Sequence, residues 1–344
     1  METKRVVAVQ LAVKLGEVER NLRHIEDIVG QAVREHQPDM LFMPESANAP
    51  NVNHPVMRDV TEAINGATLA TFRRLAREHG CAIGGGFLAV RGDDARGTYA
   101  LCDPDGSVHF HDKDQPSMWE NHYYAPGRDA GIADTSHGPV GLANGFEWLR
   151  SRTAARLRGK VRLVAGGMCF PSFPSWKATA PWFWRREHVT MLELARETPP
   201  RMAKVVGVPC VHPSHVGEIT MRTPFAAALA WPTIMVGETQ ICDHAGVTLD
   251  RLSYEDGEGY ICADVEWADA RPQNPVPPRF WMPVLPWTVH VVWVACNASG
   301  RAGYELRKRR GEHWWQNDEP TDLPDNVPAG MLPLEAPAVP KPQH

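Results

Sequence analysis

Four places in this chain combine residue types that could do chemistry. Glu45 closes an apolar run, Leu41-Phe42-Met43-Pro44-Glu45-Ser46. A carboxylate at the end of a buried strand loses hydration, which lifts its pKa toward the range useful to a general base. A helix cap or an ion pair would use the same residue. Lys113 stands in His111-Asp112-Lys113-Asp114-Gln115, where a fixed ammonium can stabilise a developing oxyanion or simply lie on the surface between two aspartates. Glu120 follows in Met118-Trp119-Glu120-Asn121-His122-Tyr123-Tyr124-Ala125-Pro126-Gly127, a composition that suits a pocket wall or an aromatic loop packed on the domain. The fourth place is Gly141-Leu142-Ala143-Asn144-Gly145-Phe146-Glu147-Trp148. There an apolar strand ends in a sharp turn, and Asn-Gly tolerates the backbone angles that an elbow presenting a strand-end residue needs.

Aromatic residues gather around these places: Trp119, Tyr123, Phe170, Phe173, Trp176, Trp182 and Trp184. Such walls favour a flat or apolar substrate, although core or subunit packing would use them too. His122, Asn144, Phe146 and Glu147 are further candidate substrate contacts. Arg150, Arg152, Arg156 and Arg158 follow the elbow and read as a solvated or subunit-contact face, with a substrate carboxylate as the alternative. His109-x-His111 and Cys210-x-His212-x-x-His215 have ligand residue types without a complete four-ligand spacing. Gly84-Gly85-Gly86 lacks the lysine and hydroxyl residue of a phosphate loop. Neither metal nor cofactor is expected.

The elements that must position these residues alternate strand and helix. Arg5–Leu11 reads as a strand, Glu17–His36 as a helix with Val18, Leu22, Ile25, Val29 and Val33 on one face, and Met40–Met43 as a doubly buried strand. A helix over Ile64–His79, stopped by Gly80, leads to a strand over Cys81–Val90. A hairpin turns at Asp103-Pro104-Asp105-Gly106, and residues 112–138 read as a surface loop. Strands at 140–143 and 161–165 flank an Arg-rich helix over 149–157. A helix over 184–197, a shorter one after Pro199-Pro200, a strand over 208–212, a hairpin turning at Asp243-His244-Ala245-Gly246 and a strand over 259–266 follow. The two hairpins echo each other: Leu101-Cys102-Asp103-x-x-Gly106 and Ile241-Cys242-Asp243-x-x-Gly246. They suggest two similar halves of one α/β domain.

Composition bounds the rest. The 344 residues are 43% hydrophobic and 22% charged, an ordinary globular balance. A net charge of -5 argues against broad attraction to nucleic acid or anionic membrane. Seven scattered cysteines without a C-x-x-C pair indicate neither a zinc knuckle nor a disulfide framework. No apolar run reaches the length of a membrane span, and the first residues run straight into a strand rather than a signal peptide, so a cytoplasmic location is expected. Residues 1–318 read as one domain, and the proline-rich 319–344 as a flexible tail.

In their order and spacing these pieces resemble the nitrilase (carbon–nitrogen hydrolase) superfamily across roughly residues 4–300. The resemblance rests on Arg5-Val6-Val7-Ala8-Val9-Gln10 with Asn21, Met43-Pro44-Glu45, Asp105-Gly106 ahead of Lys113, Tyr124-Ala125-Pro126-Gly127, and Asp243-His244-Ala245-Gly246-Val247. It implies a four-layer αββα sandwich that forms a homodimer or higher homo-oligomer. It also implies a Glu–Lys–Cys triad that cleaves amides, nitriles, ureas or carbamates of small molecules. Glu45 and Lys113 match the triad, and Glu120 matches a second, orienting glutamate. Gly145 occupies the position of the cysteine and brings no nucleophile. Four explanations stand: a catalytically silent protein that binds a ligand or serves as a scaffold, an engineered removal of the thiol, water activated by Glu45 in the space left behind, or Cys169 as a substitute sulfur. A reaction that requires no covalent intermediate, such as amide formation or dehydration, stays open as well.

Overall fold

The computed structural model describes residues 2–176, 180–224 and 226–315. The expected tail over 319–344 lies outside them. The chain begins with β1 (Thr3–Leu11), β2 (Met40–Phe42), β3 (Glu62–Ala63), β4 (Ala82–Arg91), β5 (Asp94–Cys102) and β6 (Val108–Asp112). Then come β7 (Ile132–Thr135), β8 (Gly138–Leu142), β9 (Leu163–Ala165) and β10 (Cys210–His212), a long hairpin of β11 (Ser214–Thr223) and β12 (Ala226–Val236), a short one of β13 (Thr239–Cys242) and β14 (Thr248–Leu252), and β15 (Gly259–Glu266). The helices are α1 (Val18–His36), α2 (Ala67–His79), α3 (Ser151–Leu157), α4 (Pro181–Val206) and α5 (Trp287–Arg309).

One sheet runs β12-β11-β1-β2-β4-β5-β6, with β15 also paired to β1; the other runs β14-β13-β10-β9-β8-β7. The halves do match. Three parallel strands, β1, β2 and β4, continue into antiparallel β5 and β6. Parallel β8, β9 and β10 likewise continue into antiparallel β13 and β14.

Alternation along β1 builds the layers. Val6 and Ala8 join Phe42, Tyr99 and Leu101 against Val140, Leu142, Leu163, Val211 and Ile241 of the other sheet. Val7, Val9 and Leu11 face the opposite way, onto Leu22, Ile25 and Val29 of α1 and Phe72 and Leu75 of α2. On the far side, Ala154 and Leu157 of α3 and Met191, Leu194 and Met202 of α4 pack with Val164 and Cys210. The result is the αββα sandwich.

Several local expectations change. Residues 112–138 are no surface loop: Met118, Trp119, Glu120 and Asn121 form a buried 3-10 turn, and β7 follows. The helix expected from Ile64 starts at Ala67, because Glu62 and Ala63 first pair with β4. The two helices expected around Pro199 and Pro200 are one, α4. Proline frees the carbonyl four residues earlier; here the Arg196 carbonyl, freed by Pro200, accepts the Gln240 side-chain amide at 3.0 Å. Arg150 is not solvated but 1% exposed, paired with Asp114 and donating to the Gln115 carbonyl at 2.8 Å. The hairpin β11–β12 and helix α5 carry no marked sequence signal.

Candidate functional site

Glu45 sits just past β2, where the chain swings beside β4. The Gly86 amide donates to the Pro44 carbonyl at 3.1 Å and the Ala47 amide to the Gly86 carbonyl at 2.7 Å. A Cβ on Gly86 would lie 2.6 Å from the Ser46 nitrogen and 2.9 Å from Glu45 Cα, so only glycine allows this approach. The Glu45 carbonyl accepts His215 Nε2 at 2.8 Å. Asn21 ties Lys14 to the Asn48 carbonyl and so fixes the segment that follows Glu45.

Lys113 leaves β6 on the Gly97 carbonyl, 2.9 Å from its amide. Its side chain is buried, with Nζ 2.7 Å from Glu45 Oε1 and 2.9 and 2.8 Å from the two oxygens of Glu120. Glu120 also accepts the Ser117 amide at 2.5 Å, the Tyr124 hydroxyl at 2.8 Å and Asn51 Nδ2 at 3.2 Å. One ammonium thus faces two carboxylates away from water. Burial lifts the Glu45 carboxyl, Lys113 pulls it down and Glu120 pushes it up, with a net rise to about 7. Burial opposes the charge on Lys113, but Glu120 and Glu45 outweigh it and hold its pKa above the usual lysine value. Glu45 is therefore the group of the pair that exchanges a proton near neutrality.

Gly145 adopts φ +56° and donates its amide to the Gly167 carbonyl at 2.9 Å. A Cβ there would stand 2.4 Å from both Glu45 Oε2 and Lys113 Nζ. The expected space of a missing thiol is therefore not open next to the backbone; the ends of the ion pair fill it. Behind the elbow, Glu147 accepts the Asn144 amide at 2.8 Å and the Asp114 amide at 3.0 Å, joining the elbow to the residue after Lys113. His111, fully buried, bridges Asp129 at 2.6 Å and Glu147 at 2.7 Å. Burial pushes its pKa down, yet the two carboxylates raise it to about 9.

A cavity opens onto this cluster. Its walls include Glu45, Lys113, Glu120 and Cys169, with apolar surface from Trp119, Phe146, Phe170 and Phe173. Among the expected contacts, Trp119, Phe146 and Phe170 line it; His122, Tyr123, Asn144, Glu147 and Gly145 do not. The reasons are visible in their contacts. The His122 carbonyl accepts Arg307 of α5 at 2.6 Å. The Tyr123 hydroxyl donates to Asn53 at 2.8 Å and its ring meets Trp314 at 4.7 Å. Asn144 and Glu147 are buried behind the elbow. Trp176 and Trp184 line a second cavity instead, and Trp182 is exposed. Sequence reasoning missed Ser172, Met191, Trp231, Val289 and Val292 on the cavity wall. The last four come from α4, β12 and α5, and nothing in their local pattern marks them.

Cys169 lies on the wall with Sγ accepting the Asn51 amide at 3.1 Å, while its own amide donates to Glu45 Oε2 at 3.1 Å. Burial and the Glu45 carboxylate hold its thiol well above the usual cysteine pKa, so it is protonated at neutral pH. His109 pairs with Asp103 at 3.2 Å, so the two histidines of His109-x-His111 serve different carboxylates. Among the described residues no cluster of His, Cys, Asp and Glu could hold a metal, and no helix is long and apolar enough to cross a membrane.

The amidase from Nesterenkonia sp. AN1, in a mutant complexed with acrylamide, has a similar fold: TM-score 0.59 and 16% identity, covering 77% of this chain and 91% of that one. A carbon-nitrogen hydrolase from Helicobacter pylori G27 gives 0.64 and 17%, covering 77% and 90%. Saccharomyces cerevisiae Nit3, a member of branch 10 of the nitrilase superfamily, gives 0.58 and 19%, covering 76% and 90%. No curated protein matches the sequence. At these identities the structures speak for the fold, while residues 5–191 match the carbon-nitrogen hydrolase family in sequence. With more than half its length matched, the chain belongs to the carbon-nitrogen hydrolase family.

Proposed function

We propose that the protein hydrolyses a non-peptide C–N bond, an amide, in a small molecule with an aromatic or apolar portion. The observation that carries this reading is Glu45: a carboxyl lifted to about 7 on the wall of an aromatic cavity, 2.7 Å from a buried ammonium. Water entering from the cavity would give a proton to Glu45 as its oxygen bonds to the carbonyl carbon. Lys113 would stabilise the oxyanion, and Glu120 would hold Lys113 in place. Collapse breaks the C–N bond, and the amine leaves with the proton from Glu45. The apolar wall of Trp119, Phe146 and Phe170 supports the substrate class.

One observation favours a second reading, attack by Cys169. Its sulfur accepts a backbone N–H on the same wall, beside Glu45. Glu45 would then take the thiol proton.

A panel of aryl and alkyl amides, nitriles and carbamates, scored for ammonia and amine release, tests the proposal. Turnover that falls at least about 100-fold in Glu45→Gln supports the base. Turnover that survives Cys169→Ala favours water, and turnover that vanishes there favours the thiol. Tight binding across the panel without turnover contradicts the enzyme reading and leaves a silent binding protein.

A further inference from the structure

Ser172 lines the same cavity and is 2% exposed. The segment that carries it is clamped along β12. The Ser172 amide donates to the Ile234 carbonyl at 2.9 Å, the Ser175 amide to the Pro232 carbonyl at 2.8 Å, and the Val236 amide to the Phe170 carbonyl at 3.1 Å. Trp231 Nε1 donates to the Ser172 carbonyl at 3.2 Å. The hydroxyl is thus held on a fixed backbone, and Oγ lies 2.7 Å from His188 Nδ1 on α4. Burial lowers the His188 pKa against a weaker upward pull from Glu255, so the ring is neutral at pH 7 and a ring nitrogen can accept the hydroxyl proton. The half-buried ring also lines the neighbouring, solvent-open cavity with Trp176, Arg185 and Tyr254, which gives it a route to exchange protons.

We propose that Ser172 and His188 form a nucleophile–base pair that takes an acyl group from esters whose acyl part is aromatic or apolar. This goes beyond the amide reading and does not depend on Glu45. As Oγ bonds to the carbonyl carbon, its proton passes to His188 Nδ1. The bond from that carbon to the alkoxide breaks, and the alkoxide takes the proton. Water, deprotonated by the same imidazole, then cleaves the seryl ester and restores the hydroxyl. Phe170, Phe173 and Trp231 line the cavity together with Ser172 and would select the apolar acyl part.

The full chain is treated with a phenyl-bearing fluorophosphonate and, separately, with p-nitrophenyl phenylacetate. The expected result is a single phosphonyl adduct, mapped by peptide mass spectrometry to Ser172, and steady nitrophenol release. Ser172→Ala abolishes both, and His188→Gln slows labelling at least about 100-fold. No adduct on the unsubstituted protein, an adduct on another residue, or ester turnover unchanged in Ser172→Ala overturns the proposal. Peptide mapping of the unsubstituted protein decides the matter even if a variant misfolds. Amide turnover in Glu45→Gln is a separate readout, so failure of either reading is seen by itself.

Discussion

Replacing Gly145 by alanine tests how tightly the ion pair is built onto the elbow. Two costs follow from the geometry. At φ +56° a non-glycine residue costs about 1 kcal/mol or somewhat more. The new methyl carbon would also stand 2.4 Å from Glu45 Oε2 and from Lys113 Nζ, so the pair must separate or shift. Full loss of a buried partner costs about 3–5 kcal/mol. Lys113 keeps Glu120, so about 2 kcal/mol is expected for the displacement. Gly80 supplies the control, since it has φ +63° and open space where a Cβ would go. Urea denaturation should show a loss of about 1 kcal/mol for Gly80→Ala and about 3 for Gly145→Ala. Equal losses would refute the reasoning, because strain alone would then account for both. By the same geometry Gly145→Cys restores no ready-made triad, since its Cβ meets the same two atoms.

Other outcomes follow from the buried charges. Glu45 has a folded pKa of about 7 against 4.5 in the open chain, so its contribution to stability is present below 4.5 and is lost as pH rises through 7. The stability of Glu45→Gln relative to the unsubstituted protein should therefore rise between pH 5 and pH 9, by roughly 3 kcal/mol for 2.5 pKa units, and a flat difference in denaturant titrations contradicts this. His111 is raised from 6.5 to about 9, so its stabilisation is complete below 6.5 and fades through 9. His111→Gln leaves Asp129 without its cation and Glu147 with Arg156 at 3.5 Å as its remaining partner, and should cost about 3 kcal/mol at pH 7 by chemical denaturation, where a loss under 1 would be contrary. Gln240→Ala removes the donor to the Arg196 carbonyl in the proline-containing turn of α4 and should cost about 1–2 kcal/mol, against no change in melting if water serves equally well.

The sequence carries the strand–helix alternation and the two hairpins, because period and turn chemistry are local. Met43-Pro44-Glu45 and Lys113 also stand out locally, by an abrupt apolar-to-charged step and by a strand end. What did not show depends on partners distant in the chain. Pro199 and Pro200 looked like a helix break because the amide that serves the Arg196 carbonyl comes from Gln240 on β13. Arg150 looked solvated because Asp114 is 36 positions away. Tyr123 and His122 looked like pocket groups until α5 and Trp314 engaged them. Ser172 is an ordinary serine in the sequence; only the fold of α4 against β12 puts His188 on its hydroxyl.

The pH dependence of kcat/KM for the best amide found in the panel bears most directly on Glu45 as the working base. The account predicts an acidic limb with a midpoint near 7, set by the buried carboxyl, and a loss of at least about 100-fold in Glu45→Gln. A limb near the ordinary carboxylate value of 4.5, or undiminished turnover in that variant, would contradict it.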